Sequence, residues 1–220
     1  MNRILLVFVG FDIAFLLCAV LHLLIPLYTR ASVPTSNVSN VASNLLLGHC
    51  PLTASEINSI IMFATFLLSI PSIFMKRNRV FLHLHIVGVI AAALFTLAIG
   101  VAIWFSTLQV HKNLGPVWNA QTPAIQSLLQ QKFQCCGYTN PALFVKDATC
   151  INAATAARLG PCSTPLGVYA NRFLDIVFTT FFGFVAVDMM LLLSALCLVK
   201  DRKEKERYKL IDEKRGWGSI

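Results

Sequence analysis

Residues 81–105 read FLHLHIVGVIAAALFTLAIGVAIWF, a run without one Asp, Glu, Lys or Arg. Three further apolar blocks, 4–27, 57–75 and 176–199, stand beside this one. Each is long enough to cross roughly 30 Å of hydrocarbon as a helix. The chain has 220 residues and a mean hydropathy of +0.69, with 56 % apolar and 13 % charged residues. That charged share is about half of what a soluble domain carries. The composition excludes a soluble enzyme, a nucleic-acid-binding domain and a disordered linker. The expected fold is an all-α integral membrane protein with four transmembrane helices.

The formal charge is +8 and the pI is near 9.3. In a soluble chain this balance would raise nucleic acid as a partner; here the charge is distributed by segment. The N-terminus 1–3, the turn 76–80 and the tail 200–220 hold two thirds of the Lys and Arg. The loops 28–56 and 106–175, together more than three times as long, hold the remaining third. Cytoplasmic segments collect the basic excess. Both termini and the 76–80 turn are therefore expected in the cytosol, with the basic tail against an anionic leaflet. Loop 28–56 is then the small extracellular loop and 106–175 the large one. The first span reads as a retained signal-anchor, because no small-residue cleavage site precedes Pro26. No prenylation, myristoylation or ER-retrieval signal is present.

Seven cysteines are spread unevenly. Cys18 and Cys197 lie inside expected spans. Cys50, Cys135, Cys136, Cys150 and Cys162 fall in the external loops, an oxidising compartment where pairing is expected. Four cysteines in the large loop allow three connectivities. Adjacent cysteines rarely bond to each other, since the small ring strains the peptide between them. Each vicinal sulfur should then reach a different partner across the variable stretch 138–161.

Four spans, a short first external loop, a larger second one and Cys135–Cys136–Gly137 inside it resemble the tetraspanin family along the whole chain. The resemblance implies a small, disulfide-bonded, helical second extracellular loop. It also implies the pairs Cys135–Cys162 and Cys136–Cys150, the first closing the longer ring. Chain-entropy arguments make these worth about 3.6 and about 3 kcal/mol. A loop this small has little core of its own, so the bridges should decide whether it folds.

Local patterns agree with a helical loop. Thr122–Pro123 is an N-cap followed by a first-turn proline, and Ile125, Leu128, Leu129 and Phe133 recur at helical spacing. That helix is expected to end at the vicinal cysteines, with Gly137 left-handed. Thr164–Pro165 opens a helix expected to run into the fourth span. Pro116 is expected to end or kink the helix leaving the third.

A narrower resemblance lies in CCGYTN (135–140), FVKDATC (144–150) and ANRFLD (170–175). These resemble the fungal tetraspanins needed for host penetration by infection cells. The resemblance implies a scaffold at a polarised membrane site, with other integral membrane proteins as partners, a membrane NADPH oxidase among them. GPC (160–162) departs from the Pro-x-Ser-Cys usual in animal members and weakens any carry-over of animal partners. Homo-oligomers are compatible with this reading.

Asp12 and Asp188 sit mid-helix, where each costs roughly 2.5–3.5 kcal/mol on the insertion scale. Tetraspanins often carry polar residues in these spans, lining a cavity between helix pairs, and the resemblance implies a bound sterol or other lipid there. Two carboxyls facing one apolar cavity cannot both easily ionise. The plainer alternative is that each Asp bonds a neighbouring helix and specifies packing. His83 and His85 are expected at the cytoplasmic interface, solvated rather than metal-bound, and His22 bonded to backbone. Gly10, Ala14 and Cys18, and Gly88, Ala92, Thr96 and Gly100, repeat every four residues as small-residue stripes.

Asn37–Val38–Ser39 is a glycosylation sequon in an external loop. Cys197, three residues before the basic tail, is a palmitoylation candidate. Cys50 is expected as a protected free thiol. Tyr208 to Ile211 fits the Tyr-x-x-bulky pattern of endocytic adaptors, which bind extended peptides, although the tail could instead be a charged helix. The sequence thus points to a non-enzymatic membrane organiser, without catalytic residues, metal or other cofactor, in the plasma membrane and in endosomal or vacuolar membranes.

Competing classes are weaker. A redox enzyme would want a Cys-x-x-Cys pair, which is absent. An aspartyl protease would want a glycine-rich context around Asp188, and a claudin-like chain would carry its cysteines after the first span. The main alternative is a proton-coupled channel or transporter using Asp12 and Asp188.

Overall fold

A computed structural model describes residues 3–32, 37–75 and 80–214. Residues 1–2, 33–36 of the first loop, 76–79 of the basic turn 76–80, and 215–220 lie outside the described residues. Among the described residues helix is the only regular secondary structure, and no strand forms. The helices are α1 (Arg3–Ser32), α2 (Val41–Gly48), α3 (Leu52–Phe74), α4 (Val80–Leu108), α5 (Val110–Asn119), α6 (Pro123–Phe133), α7 (Ala153–Leu159) and α8 (Ser163–Lys214). Four of them, α1, α3, α4 and α8, are long and apolar enough to cross a membrane.

The chain divides into two compact units. The first comprises the described parts of 1–23, 55–97 and 182–220. Its burial pattern inverts that of a water-soluble bundle. Asp12, Ser55, Asn58, Ser59, Thr65, Ser69, His85, Thr96 and Asp188 are buried, whereas Leu17, Leu67 and Leu94 expose about three-fifths of their surface. Large apolar side chains facing outward while polar ones face inward is the arrangement that lipid favours and water opposes. This is an integral membrane protein.

The stripe on α4 lets two helices approach closely. A Cβ added at Gly88 would come within 2.5 Å of the Thr65 hydroxyl on α3. On α1 the stripe behaves otherwise: Gly10 is exposed, and a Cβ there would meet nothing within 4 Å. The expected close packing therefore does not extend to Gly10.

The second unit comprises the described parts of 24–54 and 98–181. Pro116 does not end the helix leaving the third apolar block. The break comes earlier, at Gln109, and α5 then carries Pro116 inside it. Helix α6 begins at Pro123 after Thr122, and it ends at Phe133 on Gln134, which adopts the left-handed conformation at φ 51°. Gly137 is left-handed too, at φ 64°, but three residues further on and in a different role. Two short helices have no counterpart in the hydrophobic pattern. They are α2, which packs on α6, and α7, whose N-cap Asn152 accepts from the Thr155 N–H at 2.8 Å. Helix α8 starts at Ser163 and continues past the fourth apolar block to Lys214, 52 residues in all. A helix of that length is about 78 Å long, far more than a bilayer's hydrocarbon thickness, so it extends beyond the apolar block at both ends.

Candidate functional site

The segment joining α6 to α8 is built on two disulfides. Cys135 is bonded to Cys162, and Cys136 to Cys150. All four cysteines are buried. Cys136 and Cys150 pack with Ala156 of α7, and Phe144 and Leu159 close over them. Backbone bonds reinforce the bridges: the Cys136 N–H donates to the Gly160 carbonyl at 2.9 Å, the Cys162 N–H to Gly137 at 2.9 Å and the Ser163 N–H to Tyr138 at 3.0 Å.

Gln130 organises the turn that follows the vicinal cysteines. It is fully buried on α6, and both ends of its amide are satisfied. Its Nε2 donates to the Val145 carbonyl at 2.7 Å and to Asp147 Oδ2 at 2.9 Å. Its Oε1 accepts from the Gly137 and Val145 N–H groups, both at 3.2 Å. Asp147 completes the frame. Its Oδ1 accepts from the Thr149 and Cys150 N–H groups at 2.8 and 2.6 Å, and its Oδ2 also accepts from the Ser127 hydroxyl at 3.0 Å. Burial pushes the Asp147 carboxyl up, but the Cys150 N–H, Gln130, Ser127 and the Thr149 N–H outweigh it and hold it below the usual carboxylate value. Gly137 is required where it stands. Besides the positive φ, a Cβ there would collide with the Asn140 carbonyl oxygen and crowd that of Leu143.

The outer face of this frame carries exposed apolar side chains. Leu143 is 78 % exposed and Ile151 58 %. Lys132, near the end of α6, donates to the Ser39 carbonyl at 2.5 Å and lies 5.0 Å over the Tyr169 ring. Ser39 belongs to the sequon, and Asn37 is exposed in a turn beside Asn40.

The three remaining cysteines carry free thiols. Cys50 is half-buried and lines a cavity of about 270 Å³ with Leu46, Ile103, Val110, Leu114 and Leu174. Burial pushes its thiol up to about 11. Cys197 is exposed on α8, and Cys18 is buried. Tyr208 and Ile211 are exposed but helical, so adaptor binding in the extended form would require the end of α8 to unwind.

Asp12 and Asp188 have different neighbours. Asp12 Oδ2 accepts from the Ser69 hydroxyl at 2.5 Å, and its Oδ1 lies 3.7 Å from His85 Nε2. Asp188 sits beside Thr96 and Cys18. Thr96 donates to the Ala92 carbonyl at 2.9 Å and accepts from Asn58 Nδ2 at 2.8 Å, which leaves both Asp188 oxygens without a partner among the described residues. Cys18 is six residues beyond Asp12 on α1, about 9 Å along the helix. The two carboxyls thus have different polar neighbours among the spans.

The histidines also depart from expectation. His85 is fully buried rather than solvated at the interface, with Nδ1 3.0 Å from the Thr65 carbonyl. His83, two residues earlier, is exposed. His22 pairs through Nδ1 with the Ser55 hydroxyl at 3.0 Å, and that hydroxyl donates back to the His22 carbonyl. Among the described residues no group of three His, Cys, Asp or Glu converges as a metal site. No family model, curated protein or solved structure matches the chain.

Proposed function

We propose that the protein is a membrane organiser of the tetraspanin type, assembling partner membrane proteins and lipids laterally through its cysteine-braced segment and its spans. The observation that carries this reading is the frame around residues 137–150. Two disulfides, Gln130 and Asp147 fix a short stretch of chain that presents Leu143 and Ile151 to the outside. A surface fixed in advance loses little conformational entropy on binding, which suits protein recognition. The basic residues favour cytoplasmic termini and an extracellular frame. In this arrangement Asn37 is glycosylated, Cys197 is acylated, and a sterol or other lipid sits among the spans. A role in fungal infection-cell penetration, with a membrane NADPH oxidase as partner, belongs to the same proposal.

The alternative proton-coupled channel or transporter would use Asp12 and Asp188. Their separate neighbours favour the organiser. The deciding experiment captures interacting membrane proteins under mild detergent from cells expressing the wild-type chain, an exchange of residues 138–161, and Asp12→Asn. The organiser reading expects capture to be lost on the exchange and retained in D12N. A pH-dependent current in proteoliposomes that D12N abolishes would replace it with the transporter.

A further inference from the structure

We propose that Asp12 of α1 and His85 of α4 form an intramembrane proton-binding site, holding one proton between Oδ1 and Nε2. Both side chains are shut away: Asp12 is 3 % exposed and His85 0 %. The Phe8 ring meets the imidazole edge-on at a centroid distance of 5.5 Å.

Hydrogen-bond inventory fixes where protons must be. The Thr65 carbonyl, 3.0 Å from His85 Nδ1, can only accept, so Nδ1 carries a hydrogen. Ser69 donates to Asp12 Oδ2. This leaves His85 Nε2 and Asp12 Oδ1, 3.7 Å apart, and neither has a hydrogen-bond partner among the described residues. Without a proton between them, two lone pairs face each other and a bare carboxylate is buried in an apolar span. With two protons the pair is a buried cation. With one it is neutral overall, and the separation of 3.7 Å need close by about half an ångström to reach hydrogen-bond range. A net charge inside the spans is costly in either direction, so the one-proton state is favoured. The proton has two positions. On Oδ1 it gives a carboxylic acid and a neutral imidazole; moved to Nε2 it gives a carboxylate and an imidazolium, with no change in total charge.

The surrounding helices add no competing counter-ion at this level. Helix α3 offers Ser69 and Thr65, and its Glu56 lies several turns before Ser69. Helix α8 brings Arg202 to the Ser72 carbonyl at 2.8 Å, one turn along α3, while Asp188 lies beside Thr96, three turns beyond His85 on α4. The inference does not depend on the organiser reading, because the pair could serve a scaffold or a transporter.

The test is ¹⁵N magnetic resonance of the full chain, labelled at histidine, in phosphatidylcholine nanodiscs between pH 6 and 8. The His85 signals are assigned by their loss in His85→Gln. The expected spectrum has a protonated Nδ1, an Nε2 resonance displaced from the bare lone-pair position, and no movement across this pH range. In Asp12→Leu the Nε2 resonance should return to the lone-pair position. An Nδ1 without hydrogen, a His85 ring that follows bulk pH, or an Nε2 resonance indifferent to D12L would each overturn the proposal. The wild-type tautomer and its pH response need no aspartate substitution, so a D12L chain that fails to fold leaves the test intact.

Discussion

Gln130 and Asp147, 17 residues apart in sequence, meet side chain to side chain at 2.9 Å, and between them they satisfy both ends of the turn they enclose. Gln130 serves Gly137 and Val145, and Asp147 serves Thr149 and Cys150. A buried polar group that loses its partner costs about 1–3 kcal/mol. Gln130→Ala strips partners from the Gly137 and Val145 N–H groups at once. The expected result is a loosened 138–149 segment with both disulfides formed. Trypsin should cut after Lys146 faster in Q130A than in the wild type under non-reducing conditions, at unchanged disulfide content by peptide mapping.

Acid should release the same frame. The folded Asp147 carboxyl is held below its ordinary value of 3.8. Its stabilising contribution is therefore complete above that value and is lost as pH falls through the lower folded one. Thermal unfolding of the wild type followed from pH 6 down to pH 2.5 should fall off at the acid end. Asp147→Asn should start lower at pH 6 and lose less of its stability over the same range. Parallel curves for the two chains would show that Asp147 is not the group responsible.

Gly137→Ala asks more of the chain than a cap glycine would. A side chain in the left-handed region costs about 1–2 kcal/mol, and here the Cβ also strikes the Asn140 carbonyl. The turn must open, which moves Cys136 away from Cys150. Non-reducing mapping should find a reduced yield of the Cys136–Cys150 bridge, with mispaired or free thiols in its place, whereas native yield in G137A would disprove the steric account.

Much of this architecture is legible in sequence because lipid imposes long, uninterrupted apolar runs. Four such runs stand out, and the helices built on them extend beyond the apolar blocks into flanks that periodicity does not mark. Thr122–Pro123 likewise announces α6, since N-cap chemistry is local. Helix α7 has only a capping Asn152 and a short alanine-rich run to advertise it, too brief for a periodic signal. Gln130 is invisible by composition: its importance comes from backbone groups brought to it by the disulfides. His85 misleads for a related reason. Five residues into the apolar block it reads as interfacial, but Thr65 and Asp12 on other helices supply the partners that let it be buried.

The two small-residue stripes give opposite expectations for one chemical change. Gly88→Ala drives a methyl group into Thr65, and overpacking of this kind costs about 1–3 kcal/mol. Gly10→Ala meets nothing within 4 Å. Thermal denaturation in detergent should place G88A clearly below the wild type and leave G10A beside it. Adding Thr65→Ala to G88A removes the hydroxyl and methyl that the new group strikes and should recover part of the loss. Equal midpoints for G88A and G10A would contradict the close approach of α3 and α4.

Cys50 should be a slow thiol for a physical reason rather than through pairing. It is a free cysteine, half-buried in the wall of an apolar cavity, and burial raises it from 9.0 to about 11. The thiolate is the reacting species, so a rise of this size lowers its fraction about a hundredfold at pH 7.5. Iodoacetamide should label Cys50 on the order of a hundred times more slowly in the folded chain than after denaturation, with the folded rate still rising as pH is taken to 9.5. Filling the cavity by Leu114→Phe should slow labelling further, whereas Leu114→Ala, which opens the wall to water, should accelerate it. A folded rate equal to the denatured one would mean that Cys50 is not held in this cavity. A chain that resists labelling even when denatured, and yields only to reductant, would mean that the thiol is paired.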